Sequence, residues 1–297
     1  MKAYSMIFCL LMSVLADARA SISVFTCEPE WAALAKELGG DRLDIYSATT
    51  SMQDPHHIQA RPSLIAKARR ADLLICSGAG LEAGWLPLLL RKSGNANIQP
   101  FQQGNFVAAD YIEKHDVPIK LDRSMGDVHA EGNPHIHTSP ENILLVANAL
   151  YKRLGEVDSD NQGYYQQRYR NFEQRWQQSL LVWQERVKVL QGADIVSHHT
   201  YWTYLNEWIG LNVLATLEPV PGVSPSSSHL AKVKKQLSTQ EIVMIVHVSY
   251  VSERPSQWLS ERTGAPVIAL PATVDFQGGQ TLSQWFDEVI EKLVSVK

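Results

Sequence analysis

Cysteine is scarce in this chain: three residues in 297, at positions 9, 27 and 76. No pair stands at CxxC spacing, which argues against a thiolate metal site. Long apolar runs are equally scarce. Residues 6–15 (MIFCLLMSVL) form the longest, and about ten residues are too few to cross a bilayer as a helix. An excess of Lys and Arg is missing as well. With 27 Lys and Arg against 31 Asp and Glu, the net charge is −4, which gives no footing for nucleic-acid binding. HExxH and Gly-x-Ser-x-Gly motifs are both absent, so neither a metal-adjacent general base nor a nucleophile elbow is legible. There is no internal repeat at residue level, and no low-complexity segment beyond the serines near 224–228.

What is present begins with an address. Lys2, the apolar run and the small-x-small pattern Ala18-Arg19-Ala20 read together as a removable export signal over residues 1–20. Cys9 lies inside the run rather than after it, which argues against a lipid-anchored N-terminus. The mature chain is therefore expected to be soluble and periplasmic. Losing Lys2, Arg19 and Asp17 makes it one unit more negative than the whole chain. Cys27 and Cys76 remain, each beside an apolar, strand-like run (SISVFT and DLLI). In an oxidising compartment they read either as a disulfide or as two buried thiols.

Short apolar runs alternate with helical patterns, the signature of an α/β fold with mainly parallel strands. Strands are expected over 22–25, 42–46 and 73–76, and again over 194–196, 213–216, 243–248 and 267–270. Helices are expected over 29–38, 62–70, 84–93 and 142–154, then 202–208, 227–236, 256–263 and 281–293. Between the two sets runs a helical pattern over 158–190, free of proline. At full length it would reach about 45–50 Å, more than a small domain is wide, so it reads as a strut between two lobes. The expected division is 21–155 for an N-terminal lobe, 156–191 for the linking helix and 192–297 for a C-terminal lobe. Trp31, Trp85, Trp202, Trp208, Trp258 and Trp285 fall at helical positions and read as packing residues.

The ten histidines are unevenly spread. His56-His57, His198-His199 and the alternate pair His135 and His137 account for six. Each group follows a strand or sits in a proline-containing loop, where α/β folds place ligand-binding residues. Imidazole suits zinc, copper, iron and nickel, whereas carboxylates and carbonyls suit magnesium, calcium and manganese. A tetrahedral zinc ion needs only four ligands, so one member of each pair is expected to support the site or face solvent rather than bind. Asp54 is placed to orient His56.

Three stretches carry a resemblance: DPHHIQARPSLIAKARRADLLICSGAGLEAGWLP at 54–87, GNPHIHTSPENI at 132–143 and SHHTYWTYLNEWIGL at 197–211. With EPVPGVSPSSSHL at 218–230 and LSERTGAPVIALP at 259–271, the sequence resembles the solute-binding proteins of zinc and manganese ABC importers (cluster A-I) over essentially the whole mature chain. The resemblance implies two α/β lobes, each with a mainly parallel sheet flanked by helices, joined by a long rigid helix with the metal between them. It implies His56, His135 and His199 as ligands. Relatives add a carboxylate, and the strand position for it holds Val248 here. Asp275, in the later loop, is the expected fourth ligand, with His247 or water as alternatives. The region 105–131 holds only His115 and His129, and reads either as a metal-delivering flap with His129 as a transient ligand or as a plain loop. The implied function is capture of Zn2+ (alternatively Mn2+) for an ABC importer permease, by a monomer that also meets a periplasmic metallochaperone. An exported zinc hydrolase is the enzymatic alternative; a metallochaperone or adhesin of the same fold is the other.

Overall fold

The computed structural model describes residues 21–119, 126 and 129–296. The export signal expected over 1–20 lies outside the described residues. Among the described residues no helix is long and apolar enough to cross a membrane.

The first half contains strands β1 (Ile22–Thr26), β2 (Leu43–Ser47), β3 (Leu73–Cys76) and β4 (Asn105–Val107), with helices α1 (Pro29–Gly39), α2 (Pro62–Ala68), α3 (Leu86–Ser93) and α4 (Pro140–Val157). Then comes α5 (Gln162–Val187). The second half contains β5 (Asp194–Ser197), β6 (Asn212–Thr216), β7 (Met244–Val248) and β8 (Val267–Leu270), with α6 (Thr203–Ile209), α7 (Ser227–Gln236), α8 (Arg254–Thr263) and α9 (Leu282–Val294). The strands form two all-parallel sheets, β2-β1-β3-β4 and β6-β5-β7-β8. β3 (LLIC) and β7 (MIVHV) are buried along their whole length, as strands covered on both faces by helices must be. β4 has no counterpart among the expected strands. Three residues give too little alternation to register as a period.

The strut is one continuous 26-residue α-helix with a short 3-10 turn at each end. At 1.5 Å per residue α5 is about 39 Å long, shorter than the full 158–190 pattern. Its buried stripe of Tyr165, Tyr169, Phe172, Trp176, Trp183 and Val187 repeats every three, four or seven residues, one face of a helix. That face packs on α1 and α4 from the first lobe and on α9 from the second. Trp176 donates to the Pro140 carbonyl at 2.8 Å, and Trp183 donates to Asp287 at 2.7 Å. The helix is thus pinned to both lobes.

A single apolar core results, running from Trp31 and Leu34 through Trp176 and Trp183 to Tyr201, Trp285 and Phe286. Two smaller cores lie on the outer faces of the sheets, one per lobe. Of the six tryptophans expected to pack, Trp31, Trp85, Trp202 and Trp285 are fully buried, while Trp208 and Trp258 are half-buried. Buried polar groups also bridge the lobes. Thr273 donates to Glu30 at 2.5 Å, and His137, whose Nδ1 stands 3.2 Å from Glu30, has its Nε2 3.2 Å from the Ala272 carbonyl.

Cys27 and Cys76 form a disulfide between the ends of β1 and β3. It closes the point where the strand order reverses in the first sheet.

Candidate metal centre

Local hydrogen bonds and a strand end bring three imidazoles together. After β2, Asp54 accepts the His56 N–H at 3.0 Å and opens a 3-10 turn whose first residue, Pro55, has its backbone angle preset. Trp85 clamps that turn by donating to the Pro55 carbonyl at 3.0 Å. In the NPH loop, Asn133 Oδ1 accepts the His135 N–H at 3.0 Å, while its amide donates to Thr200 and Thr203 of the second lobe. Ser139 caps α4 just behind it. His199 lies two residues past the end of β5, after His198, where the sheet register ends.

The ring centroids of His56 and His135 lie 5.5 Å apart, those of His135 and His199 5.6 Å, and those of His56 and His199 6.4 Å. His129 joins them, its ring 5.2 Å from His56 and its Nε2 3.1 Å from His56 Nε2. A cavity of about 100 Å³ is lined by His129, His135 and His199 together with Asn133, Pro134 and Thr200.

Two of the three rings are braced by carboxylates. Asp54 Oδ1 lies 2.7 Å from His56 Nδ1, and Glu218 Oε2 lies 2.8 Å from His199 Nδ1. Each contact fixes the ring and leaves Nε2 as the donor, the arrangement that orients metal-bound histidine. Burial alone would raise the Asp54 carboxyl, but the hydrogen bonds and charge of His56 outweigh it and hold it below the usual range. Glu218 is itself fixed by the Gly222 N–H at 2.9 Å.

His135 differs. It is 1% exposed, neither ring nitrogen has a hydrogen-bond partner, and its ring stacks on Tyr201 at 3.9 Å. Burial, followed by the neighbouring imidazoles, pushes it well below the ordinary histidine range, so it is neutral. An unpartnered buried nitrogen on a neutral ring costs free energy unless something accepts its lone pair. A divalent cation would accept it, though among the described residues these imidazoles do not bring three ring nitrogens within 4.8 Å of one another.

Asp275 is not brought to this cluster. It is exposed, its carboxylate accepts the Gly278 N–H at 3.1 Å, and its own N–H donates to Gln280. It lines a separate cleft with Ser51, Ser249 and Glu288. The loop after β8 turns back on itself there, and the carboxylate closes the turn. His247 is buried with Nδ1 2.9 Å from the Val248 carbonyl, on the opposite side of β7 from Val246 and Val248, which face the shared core. Glu28 and Glu82, both buried, lie with Ser77 under the disulfide instead. Cys27, Cys76 and Glu82 put their ligand atoms within 4.8 Å of one another, but the sulfurs are bonded to each other and offer no thiolate. Glu218 and Tyr201 were not singled out in the sequence. An acid two residues beyond β6, the strand paired with β5, was the available signal for Glu218.

Two parallel α/β lobes on one long helix, with imidazoles converging between them, define a class: two-lobed proteins with a candidate metal centre at the lobe interface. The chain belongs to the family described as zinc-uptake complex component A, periplasmic (ZnuA), which it matches over residues 24–296. It is 21% identical over 242 residues to the manganese ABC transporter substrate-binding lipoprotein PsaA of Streptococcus pneumoniae serotype 4, covering 80% of this chain and 75% of that protein. It is 22% identical over 232 residues to the high-affinity zinc uptake system protein ZnuA of Bacillus subtilis, covering 77% and 72%. A crystal structure of ZnuA superposes with a TM-score of 0.75 at 20% identity, covering 93% of this chain and 99% of that one.

Proposed function

We propose that this protein captures a divalent transition-metal ion, zinc, in the periplasm and delivers it to the permease of an ABC importer. The observation that carries this reading is the convergence of His56 and His135 from the first lobe with His199 from the second, two of them carboxylate-braced and the third buried with no other partner. Zinc is favoured over manganese because the converging donors are imidazoles. The disulfide and the export signal at 1–20 both support an oxidising compartment. The protein acts as a monomer, and a periplasmic metallochaperone is a further partner.

The test is a competition titration with a chromophoric chelator. His56→Ala, His135→Ala and His199→Ala are each expected to weaken zinc binding at least tenfold, about 1.4 kcal/mol or more. Wild-type affinity in all three overturns the assignment.

A further inference from the structure

At the strand ends of the first sheet lies a cluster that the histidine site does not use. Cys27 follows β1 and Cys76 ends β3. The parallel pairing of these strands sets side by side two cysteines that are 49 residues apart in sequence, with Cα atoms 4.8 Å apart. Both are buried. An oxygen of the Glu82 carboxylate lies within 4.8 Å of both sulfurs.

Glu82 is held from the backbone. Ser77 N–H donates to its Oε1 at 2.8 Å, and Gly78 N–H reaches both carboxylate oxygens at 3.2 Å. A second acid, Glu28, shares Ser77: its Oε2 accepts the N–H at 3.1 Å and the hydroxyl at 3.0 Å. Its Oε1 is buried with no hydrogen-bond partner. Burial, followed for Glu28 by the charge of Glu82, holds both carboxyls above the usual range. The closed disulfide has no use for these acids. Being neutral, it would pack as well against apolar residues, without the cost of burying two carboxyls.

Reduction changes the chemistry of the cluster. Two thiolates and the Glu82 carboxylate then surround one point, and thiolate is the soft donor that zinc takes. Two sulfurs bound at about 2.3 Å to one tetrahedral ion stand about 3.8 Å apart, a separation that rotation about the Cα–Cβ bonds supplies. Glu28, held on the same serine, offers Oε1 for the fourth position. A cleft of about 440 Å³ leads to Glu82 past Asp110 and Glu131, an acidic path for a cation. Arg153, also in its wall, is engaged by the Gln103 and Asn105 carbonyls.

We propose that Cys27, Cys76 and Glu82 form a second zinc site, open only when the disulfide is reduced. It shares no residue with the histidine cluster and stands independently of it. A dithiol reductant attacks one sulfur, the S–S bond breaks, and the reductant closes to its own disulfide. Two electrons and two protons pass to the cysteine pair. Zinc then displaces both thiol protons, together with the proton that Glu82 keeps in the folded protein.

The experiment titrates cobalt(II), then zinc, into the protein before and after treatment with a phosphine reductant, with free thiols counted by a chromogenic reagent. The reduced protein is expected to bind one more equivalent than the oxidised protein. That equivalent should carry near-ultraviolet thiolate-to-cobalt charge-transfer bands, which imidazole ligands do not produce and which zinc erases. Glu82→Gln is expected to weaken it at least tenfold, Cys27→Ser with Cys76→Ser to abolish it, and His199→Ala to leave it in place. Equal affinity in Glu82→Gln overturns the proposal, because the bands would then come from thiols of an opened chain. So do two free thiols with no extra equivalent, and a disulfide that stays closed in the folded protein under excess phosphine.

Discussion

The two lobes repeat one backbone plan with different chemistry at the same positions. In the first, Cys27 N–H donates to the Ile75 carbonyl at 2.8 Å; in the second, His198 N–H donates to the Val246 carbonyl at 2.8 Å. Ser47 Oγ bonds the Thr49 carbonyl, and Thr216 Oγ1 bonds the Glu218 carbonyl. Matching the registers pairs Cys27 with His198, Cys76 with His247, Glu28 with His199 and Thr49 with Glu218. One lobe staples its strand ends and buries acids behind them; the other carries His198, His199, Glu218 and His247 at the matching positions. The contrast follows from where the ligands arise. His199 lies two residues past β5 and inherits the rigidity of the sheet. His56 and His135 sit on loops, which need a fixed base.

The largest effect should come from removing that base. Replacing Cys27 and Cys76 by alanine is expected to lower the unfolding free energy by about 4 kcal/mol, the loop-closure scale for a sequence separation of 49. Urea unfolding of the metal-free protein measures it, and a loss below about 1 kcal/mol would break the contrast between the lobes.

Next come the carboxylates that orient the rings. Asp54→Asn and Glu218→Gln should each weaken zinc binding about 10–100-fold, the scale for such supports. Calorimetric titration decides whether the brace on each lobe carries similar weight. A silent Glu218→Gln would mean that the strand alone positions His199.

The smallest effect is a pH slope. Burial pushes Glu82 up to about 7 from the usual 4.5 despite its hydrogen bonds, and burial, then the charges of Glu82 and Glu30, pushes Glu28 well up. The folded protein therefore keeps a proton that the unfolded chain releases. The stability this contributes is full below about pH 4.5 and is lost as pH rises through about 7, with a slope of at most about 1.4 kcal/mol per unit for one proton. Subtracting the melts of Glu82→Gln from those of wild type between pH 5 and 8 isolates this slope from the opposite trend of His135, which favours the fold at higher pH. A flat difference would show that the acids under the disulfide titrate normally.

Much of this was readable before any coordinates. Continuous apolar runs flanked by turns located seven of the eight strands among the described residues, and the histidine clusters, read with the family resemblance, pointed to His56, His135 and His199. Local pattern was enough there because each signal lies within a few residues. β4 escaped for want of length. Asp275 was expected from its place in the chain, but chain position does not tell which way a loop turns after β8. Glu218 and Tyr201 act through partners 19 and 66 positions away, His199 and His135, and such pairings exist only once the sheets and lobes are assembled.

The shared core bears on how quickly the ion can leave. Parting the lobes would pull Trp176 and Trp183 from Phe286, whose ring pairs are worth about 0.5–1.5 kcal/mol each beyond the area they bury, and would break the buried Thr273–Glu30 bond as well. A jaw-like swing would have to break these contacts. A release route that keeps them intact would move only the loops that carry His56 and His135, and a membrane partner that hastens unloading would act there.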